Sequence, residues 1–245
     1  MSTLAKEFDL WMHVDAAYGG FFGMTERGRK ILAGLDQSDS VTLDPHKGMF
    51  LPYGTGCLLV RDKADLLAAH SFTSDYMPEM SSDPWQVDMC EISPELSRGF
   101  RGLRVWLPMK LHGVDAFRKQ LDEKLDLAEW SCDQIEAISQ RLENRFQLEN
   151  PIQIVARPQL SILAFRLTTK GLSLEAENDL NARWLERINA ANRVMLTHTT
   201  INQQFVIRIC VLSFRTHLKR MQEAMKILES SAAEVLGELL SLIHI

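Results

Sequence analysis

Between Val114 and Leu142 apolar side chains return every three or four residues: Val114, Phe117, Leu121, Leu125, Ala128, Cys132, Ile135, Ile138 and Leu142. That period predicts one long amphipathic helix, because side chains three and four apart share a helix face. Before it the pattern differs. Short apolar runs, Leu10 to Val14, Ser40 to Leu43 and Gly56 to Val60, are bounded by turn residues and separated by helix-compatible stretches. This is the pattern of an α/β layer, here expected to carry a parallel-type sheet. After the helix, runs at Ile152 to Ala156, Ser161 to Leu167, Val194 to Thr199 and Gln204 to Leu212 read as strands, with a helix near Glu175 to Asn189. A last helix has Leu218 to Leu239 on one face and Thr216 as its expected N-cap. Antiparallel strands covered by helices make a small α+β domain. The chain is therefore expected to divide into 1–112, part of a larger α/β domain, and 113–245, a linker helix and a small C-terminal domain.

Composition narrows the partners. A chain of 245 residues that is 46% hydrophobic and 24% charged can bury a substantial core. Its formal net charge of -5 gives no electrostatic footprint for nucleic acid or an anionic membrane. Lys6, Glu7, Asp9 and Asp15 interrupt any leader or membrane span at the start, so a cytoplasmic setting is expected. Cys57, Cys90, Cys132 and Cys210 form no C-x-x-C pair and read as buried thiols in a reducing compartment.

Two strand ends carry the chemistry. In His13-Val14-Asp15-Ala16-Ala17-Tyr18-Gly19-Gly20, alternation puts His13, Asp15 and Ala17 on one strand face. Asp15 falls at the strand's C-terminal end, where open α/β sheets bind ligands, and Ala17 leaves room for a flat ring. The second constellation, Asp44-Pro45-His46-Lys47-Gly48, follows the run Ser40 to Leu43 directly. A lysine there is expected to be desolvated, with the lowered pKa that a Schiff-base amine needs. Taken singly, a strand carboxylate is better explained by a turn or structural hydrogen bond, and a lysine by a solvated surface. The pair is what points to chemistry: an aldehyde cofactor with a pyridine nitrogen needs an amine to hold it and an acid to keep its ring protonated.

These two segments and their spacing resemble the pyridoxal-phosphate-dependent group II decarboxylases, which act on aromatic amino acids, histidine, glutamate and related substrates. The resemblance runs from Leu4 through the long helix to Phe205-Val206-Ile207-Arg208 and Phe214-Arg215-Thr216. It implies a fold-type I enzyme that uses pyridoxal 5'-phosphate, converts an L-amino acid to its amine and CO2, and works as a homodimer. It also implies roles: Lys47 forms the internal aldimine, Asp15 pairs with the pyridine nitrogen, Ala17 packs against the ring, and His46 lies near the phosphate. Asp44 stands where some members have an asparagine that contacts the phosphate. Tyr76, on a proline-rich stretch from Ser74 to Pro94, matches a loop tyrosine that protonates the former α-carbon, which favours amine over aldehyde. Members carry a further N-terminal half with the phosphate-binding loop. The resemblance starts in mid-domain, so a truncated or split enzyme with weak or absent cofactor affinity is expected, with an inactive fragment, a decarboxylation-dependent aldehyde synthase or another fold-type I pyridoxal-phosphate enzyme as alternatives.

Other features have bland readings beside sharp ones. Pro52-Tyr53-Gly54-Thr55-Gly56 reads as a phosphate turn or as a plain tight turn. Arg98, Arg101 and Arg104 are expected to share one helix face, solvated or turned to a substrate carboxylate. Arg208 reads equally as a carboxylate clamp or as half of an ion pair. A metal triad of His13, Asp15 and His46 or His70 wants an all-β scaffold, which the helical pattern from Val114 opposes.

Overall fold

The structure, a computed structural model, describes residues 1–71 and 88–243; Tyr76, Pro78 and Pro84 lie outside the described residues. The chain forms two compact units, Met1–Arg118 and Lys119–Ile245.

In the first unit α1 (Ser2–Glu7) precedes β1 (His13–Asp15). A 3-10 turn (Gly20–Met24) and α2 (Glu26–Ile31) lead to β2 (Ser40–Leu43), α3 (Pro45–Gly48) and β3 (Cys57–Val60). Then come α4 (Lys63–His70) and α5 (Leu103–His112). The sheet order is β1-β2-β3. β1 and β2 run parallel, with His13 opposite Ser40 and Asp15 opposite Thr42, but β3 is antiparallel to β2, so the sheet is mixed rather than wholly parallel. Parallel pairing has a direct consequence: the C-terminal ends of β1 and β2 lie side by side. Local chemistry fixes the helices. Thr25, fully buried, caps α2 by accepting from the Gly28 amide (2.9 Å) while donating to the Phe22 carbonyl (2.9 Å). Gly28 has no room for a side chain, since a Cβ there would stand 1.9 Å from the Phe22 carbonyl oxygen. The apolar core of this unit is thin, with Ala16, Phe22, Met49 and Phe117 buried among the described residues. Leu58 and Leu59, which point to opposite faces of the sheet, are 54% and 53% exposed.

The second unit is built differently. The expected long helix is α6 (Val114–Phe146), whose 33 residues span roughly 50 Å. β4 (Ile152–Ala156), β5 (Ile162–Leu167), α7 (Leu174–Ala190), β6 (Thr197–Ile201), β7 (Gln204–Cys210) and α8 (Leu218–Ile243) follow. The four strands form an antiparallel sheet in the order β4-β5-β7-β6. One face of it is covered by helices: Ile135, Ile138 and Leu142 of α6, Trp184 of α7 and Leu228 of α8 join Phe165 and Ile207 in a single core. Val114, at the head of the stripe, is exposed.

Three expectations need correction. The last helix begins at Leu218, so its preceding residue is His217 rather than Thr216, whose carbonyl is taken by Lys124 Nζ at 2.7 Å. Only Cys132 is a buried thiol; Cys57 and Cys90 are half-buried and Cys210 is exposed, all four unbridged. Arg98 and Arg101 precede α5, because Gly99 and Gly102 leave this stretch irregular up to Leu103. No helix among the described residues is long and apolar enough to cross a membrane.

A buried ammonium ties α6 to the segment before α8. Lys124, with a fully buried side chain, pairs with Glu123 at 2.8 Å, and His217 Nδ1 meets the other Glu123 oxygen at 2.7 Å. Burial pushes the Glu123 carboxyl up, but Lys124 and His217 together bring it below its ordinary value. A carboxyl depressed in the folded state stabilises above its unfolded pKa, and that contribution is lost as pH falls through the folded value. Glu123→Gln is therefore expected to lower stability near neutral pH and to flatten the acid limb of a stability-against-pH curve, which denaturant unfolding at a series of pH values checks.

Candidate active site

Asp15 and Lys47 come to the same edge of the sheet because their strands are parallel neighbours. β1 ends at Asp15, whose Oδ1 accepts from the Ala17 amide at 3.1 Å in a turn. Ala17 thus lies past the strand rather than on its face, and its carbonyl accepts from the Asp44 amide at 3.2 Å. One hydrogen bond therefore joins the two chemistry-bearing loops. Pro45, at the first position of α3, has the fixed φ that starts a helix. Gly48 allows the turn to close on Phe21, whose Cβ would stand 2.7 Å from an added Cβ.

The α3 turn sets the charges. Lys47 Nζ pairs with Asp44 Oδ2 at 2.7 Å, the two being three residues apart on one helical turn. The Asp44 hydrogen bond holds the Lys47 ammonium protonated to higher pH than an ordinary lysine, against the opposing pull of desolvation, and Asp15 adds to the rise through space. This reverses the expected lowering. The lysine side chain is 40% exposed, and its nearest partner is an anion rather than an apolar wall.

His46 is held from two sides. Its Nδ1 lies 2.8 Å from the carbonyl of the buried Thr55, which fixes that nitrogen as the donor. The Tyr53 ring lies against it, centroids 4.8 Å apart. His46 Nε2 then faces Asp44 Oδ2 at 3.7 Å. The Pro52–Gly56 segment is accordingly a support for His46, with the Thr55 hydroxyl closing the turn on the Pro52 carbonyl at 3.3 Å. Thr55 and Tyr53 were not singled out by sequence as site residues; Tyr53 is the one aromatic in that turn. On β1, His13 is occupied at both ring nitrogens, by the Ser40 hydroxyl (2.7 Å) and the Thr42 hydroxyl (3.2 Å). Among the described residues no group of three His, Cys, Asp or Glu side chains is arranged to hold a metal.

The arginines are dispersed. Arg98 donates to the Met89 carbonyl (2.7 Å) and the Ser93 hydroxyl, Arg101 makes a bidentate pair with Glu95 (2.9 and 3.0 Å), and Arg104 reaches the Tyr53 carbonyl at 3.5 Å. Arg208, in the second unit, donates to the Thr197 hydroxyl at 3.3 and 3.4 Å.

A primary amine and a separate carboxylate at one sheet edge, beside a small residue and an oriented imidazole, form a donor set suited to an aldehyde-bearing pyridine. Residues 1–168 match the description of the pyridoxal-dependent decarboxylase conserved domain. The chain belongs to the pyridoxal-dependent decarboxylase family. Pyridoxal 5'-phosphate is the cofactor of that family, and the residues at this edge fit it: Lys47 offers the amine, Asp15 the acid and Ala17 the space. An aromatic-L-amino-acid decarboxylase from Bacillus atrophaeus is 32% identical, aligned over 96% of this chain and 47% of the relative. A phenylacetaldehyde synthase from a Rosa hybrid cultivar is 27% identical over 96% and 46%. Among solved structures, Catharanthus roseus tryptophan decarboxylase in complex with L-tryptophan superimposes with a TM-score of 0.75 at 26% identity, covering 95% of this chain and 45% of that one. Oryza sativa TDC with PLP and tryptamine, at 22% identity and a TM-score of 0.79 over 95% and 46%, shares the fold. This decarboxylase-family chain spans about half the length of the curated relatives it matches.

Proposed function

We propose that this chain carries the cofactor-attachment edge of an enzyme that decarboxylates an L-amino acid to its amine and CO2, with Lys47 as the attachment residue. The observation that supports it most is the convergence of Asp15 and Lys47 at one strand-end edge, joined through the hydrogen bond between Asp44 and Ala17. When bound, pyridoxal phosphate supplies the electron sink for the pair left at the α-carbon as CO2 departs. Asp15 would be the residue placed to pair with the pyridine nitrogen. Ala17 keeps the approach to the ring clear. Asp44 keeps the Lys47 amine protonated and positioned until a proton is given up, and His46, fixed by Thr55 and Tyr53, presents Nε2 as a polar contact on the same turn. An aromatic substrate is favoured because relatives named for tyrosine, DOPA and tryptophan are among the most similar. The reading carries with it the family's homodimer and a cytoplasmic setting.

A second reading is supported by the match to about half of each relative's length: this stretch turns substrate over only together with further polypeptide. One experiment addresses both. The chain is saturated with pyridoxal phosphate, reduced with borohydride and mapped by peptide mass, and a parallel sample is given L-tryptophan, L-tyrosine or L-DOPA with amine, aldehyde and CO2 measured. A single reduced label on the Lys47 peptide is expected. Label without turnover, or no label at all, selects the second reading, aldehyde in place of amine selects synthase chemistry, and label fixed at a residue other than Lys47 overturns the attachment role.

A further inference from the structure

In the second unit, the first turn of α8 breaks a rule that α7 keeps. α7 opens on the Ser173 cap with Glu175 and Glu177 in its first turn, the sign that suits the positive end of a helix. α8 has no acidic residue there and instead carries Lys219 and Arg220, directly after Arg215 and His217. Arg193, from the segment between α7 and β6, reaches the same place, and with Glu223 these side chains line a pocket of about 320 Å³. Cations at the wrong end of a helix cost stability, and local rules broken without a stabilising return mark functional sites.

Glu223 organises this cluster without neutralising it. Its Oε1 takes Arg193 Nε at 2.6 Å and its Oε2 takes Arg220 Nη1 at 2.6 Å, so one carboxylate aligns two guanidinium groups. His217 is engaged by Glu123. Arg215 lies over the Phe214 ring, 5.2 Å from its centroid. Four cations, Arg193, Arg215, Lys219 and Arg220, therefore face a single carboxylate in the pocket lining. Exposed cations alone would be a solvated face. Here a second cavity of about 300 Å³ shares Arg193, Arg215 and Arg220 and is otherwise lined largely by apolar side chains, among them Val194, Leu196, Ile209 and Met221. Its wall is preformed: Asn189 pins Leu196 by accepting from its amide (2.8 Å) and donating to its carbonyl (3.1 Å).

We propose that this pocket binds a small phosphomonoester with an apolar body, its phosphate among Arg193, Arg215, Lys219 and Arg220 and its body against Val194, Leu196 and Met221. A monocarboxylate would leave most of the excess charge uncompensated. A phosphomonoester carries roughly -1.5 to -2 at neutral pH and three acceptor oxygens, which suits forked guanidinium donors. The apolar cavity is at the small end of ligand pockets and fits one ring or a short chain.

Calorimetric titration of the 245-residue chain with phenyl phosphate, inorganic phosphate and benzyl alcohol tests this. Phenyl phosphate is expected to bind saturably, one per chain, and at least about tenfold more tightly than either inorganic phosphate or benzyl alcohol. Arg215→Ala combined with Lys219→Ala, both exposed and outside the core, is expected to keep the wild-type circular dichroism and weaken binding by about tenfold or more, as loss of charge-assisted hydrogen bonds does. No saturable binding, equal affinity for inorganic and phenyl phosphate, or affinity unchanged in a folded double variant would each overturn the assignment.

Discussion

Lys47→Arg is expected to abolish the borohydride-fixed pyridoxal label completely while leaving the fold intact. Arginine keeps the positive charge that Asp44 pairs with at 2.7 Å, so the α3 turn retains its ion pair. It never deprotonates, however, and so offers no nucleophilic amine. The variant thereby separates the charge of Lys47 from the reactivity proposed for it. Asp44→Asn separates them from the other side. Because Asp44 is the main cause of the raised Lys47 pKa, its removal lowers the pH at which the neutral amine appears. Attachment rates in Asp44→Asn should rise at lower pH than in wild type, the two curves meeting where both amines are deprotonated. A label that persists in Lys47→Arg would assign the attachment to another lysine.

Glu177→Gln is expected to destabilise the second unit by about 3–5 kcal/mol, the range found when a buried charge loses its counter-charge. Arg166, on β5, has a fully buried side chain, and its Nη2 pairs with Glu177 Oε2 at 2.9 Å. Its Nε and Nη1 are buried without a hydrogen-bond partner among the described residues, so Glu177 is the group on which this guanidinium depends. Glutamine can keep the oxygen that accepts from the Thr169 amide (3.0 Å), but its NH2 then faces Arg166 Nη2, so the counter-charge and the acceptor for Arg166 are lost together. Arg166→Met should cost less, since Glu177 is left with partial access to solvent and a straight apolar chain fills the vacated space. Urea unfolding followed by circular dichroism checks both. Equal losses in the two variants would mean that packing, and not the buried charge, sets the energy.

Much of this architecture was legible because turn chemistry and side-chain period agreed. Ser40–Leu43 and Ile152–Ala156 form over the expected residues, each preceded or followed closely by a proline. Where strands shifted, hydrogen bonds outside the ladder decided. Leu10 and Trp11 look like strand residues, yet β1 starts at His13 because Met12 is tied through both its amide and carbonyl to Asp39. The run from Val194 moves to Thr197–Ile201 because Asn189 clamps Leu196 before the strand can begin. It extends to Ile201 because Asn202 and Gln203 both take positive φ, closing a two-residue hairpin without the usual glycine. At the proposed site, the sequence singles out Asp15 and Lys47, but the lysine pKa is raised where a lowering was expected. Asp44 and Lys47 stand three apart on a helical turn, a spacing that pairs them whatever the local burial. The support of His46 by Thr55 arises from a contact nine residues away in sequence, which no local pattern announces.

The first unit buries few apolar side chains, and both faces of its sheet show leucine to solvent. Amide protons there should exchange through openings of low free energy, while those of the second unit await disruption of its larger core. Anything that binds only the closed form of the first unit raises its protection by mass action. Filling the edge at Asp15 and Lys47 and slowing exchange in β1 and β2 are then two readings of one equilibrium.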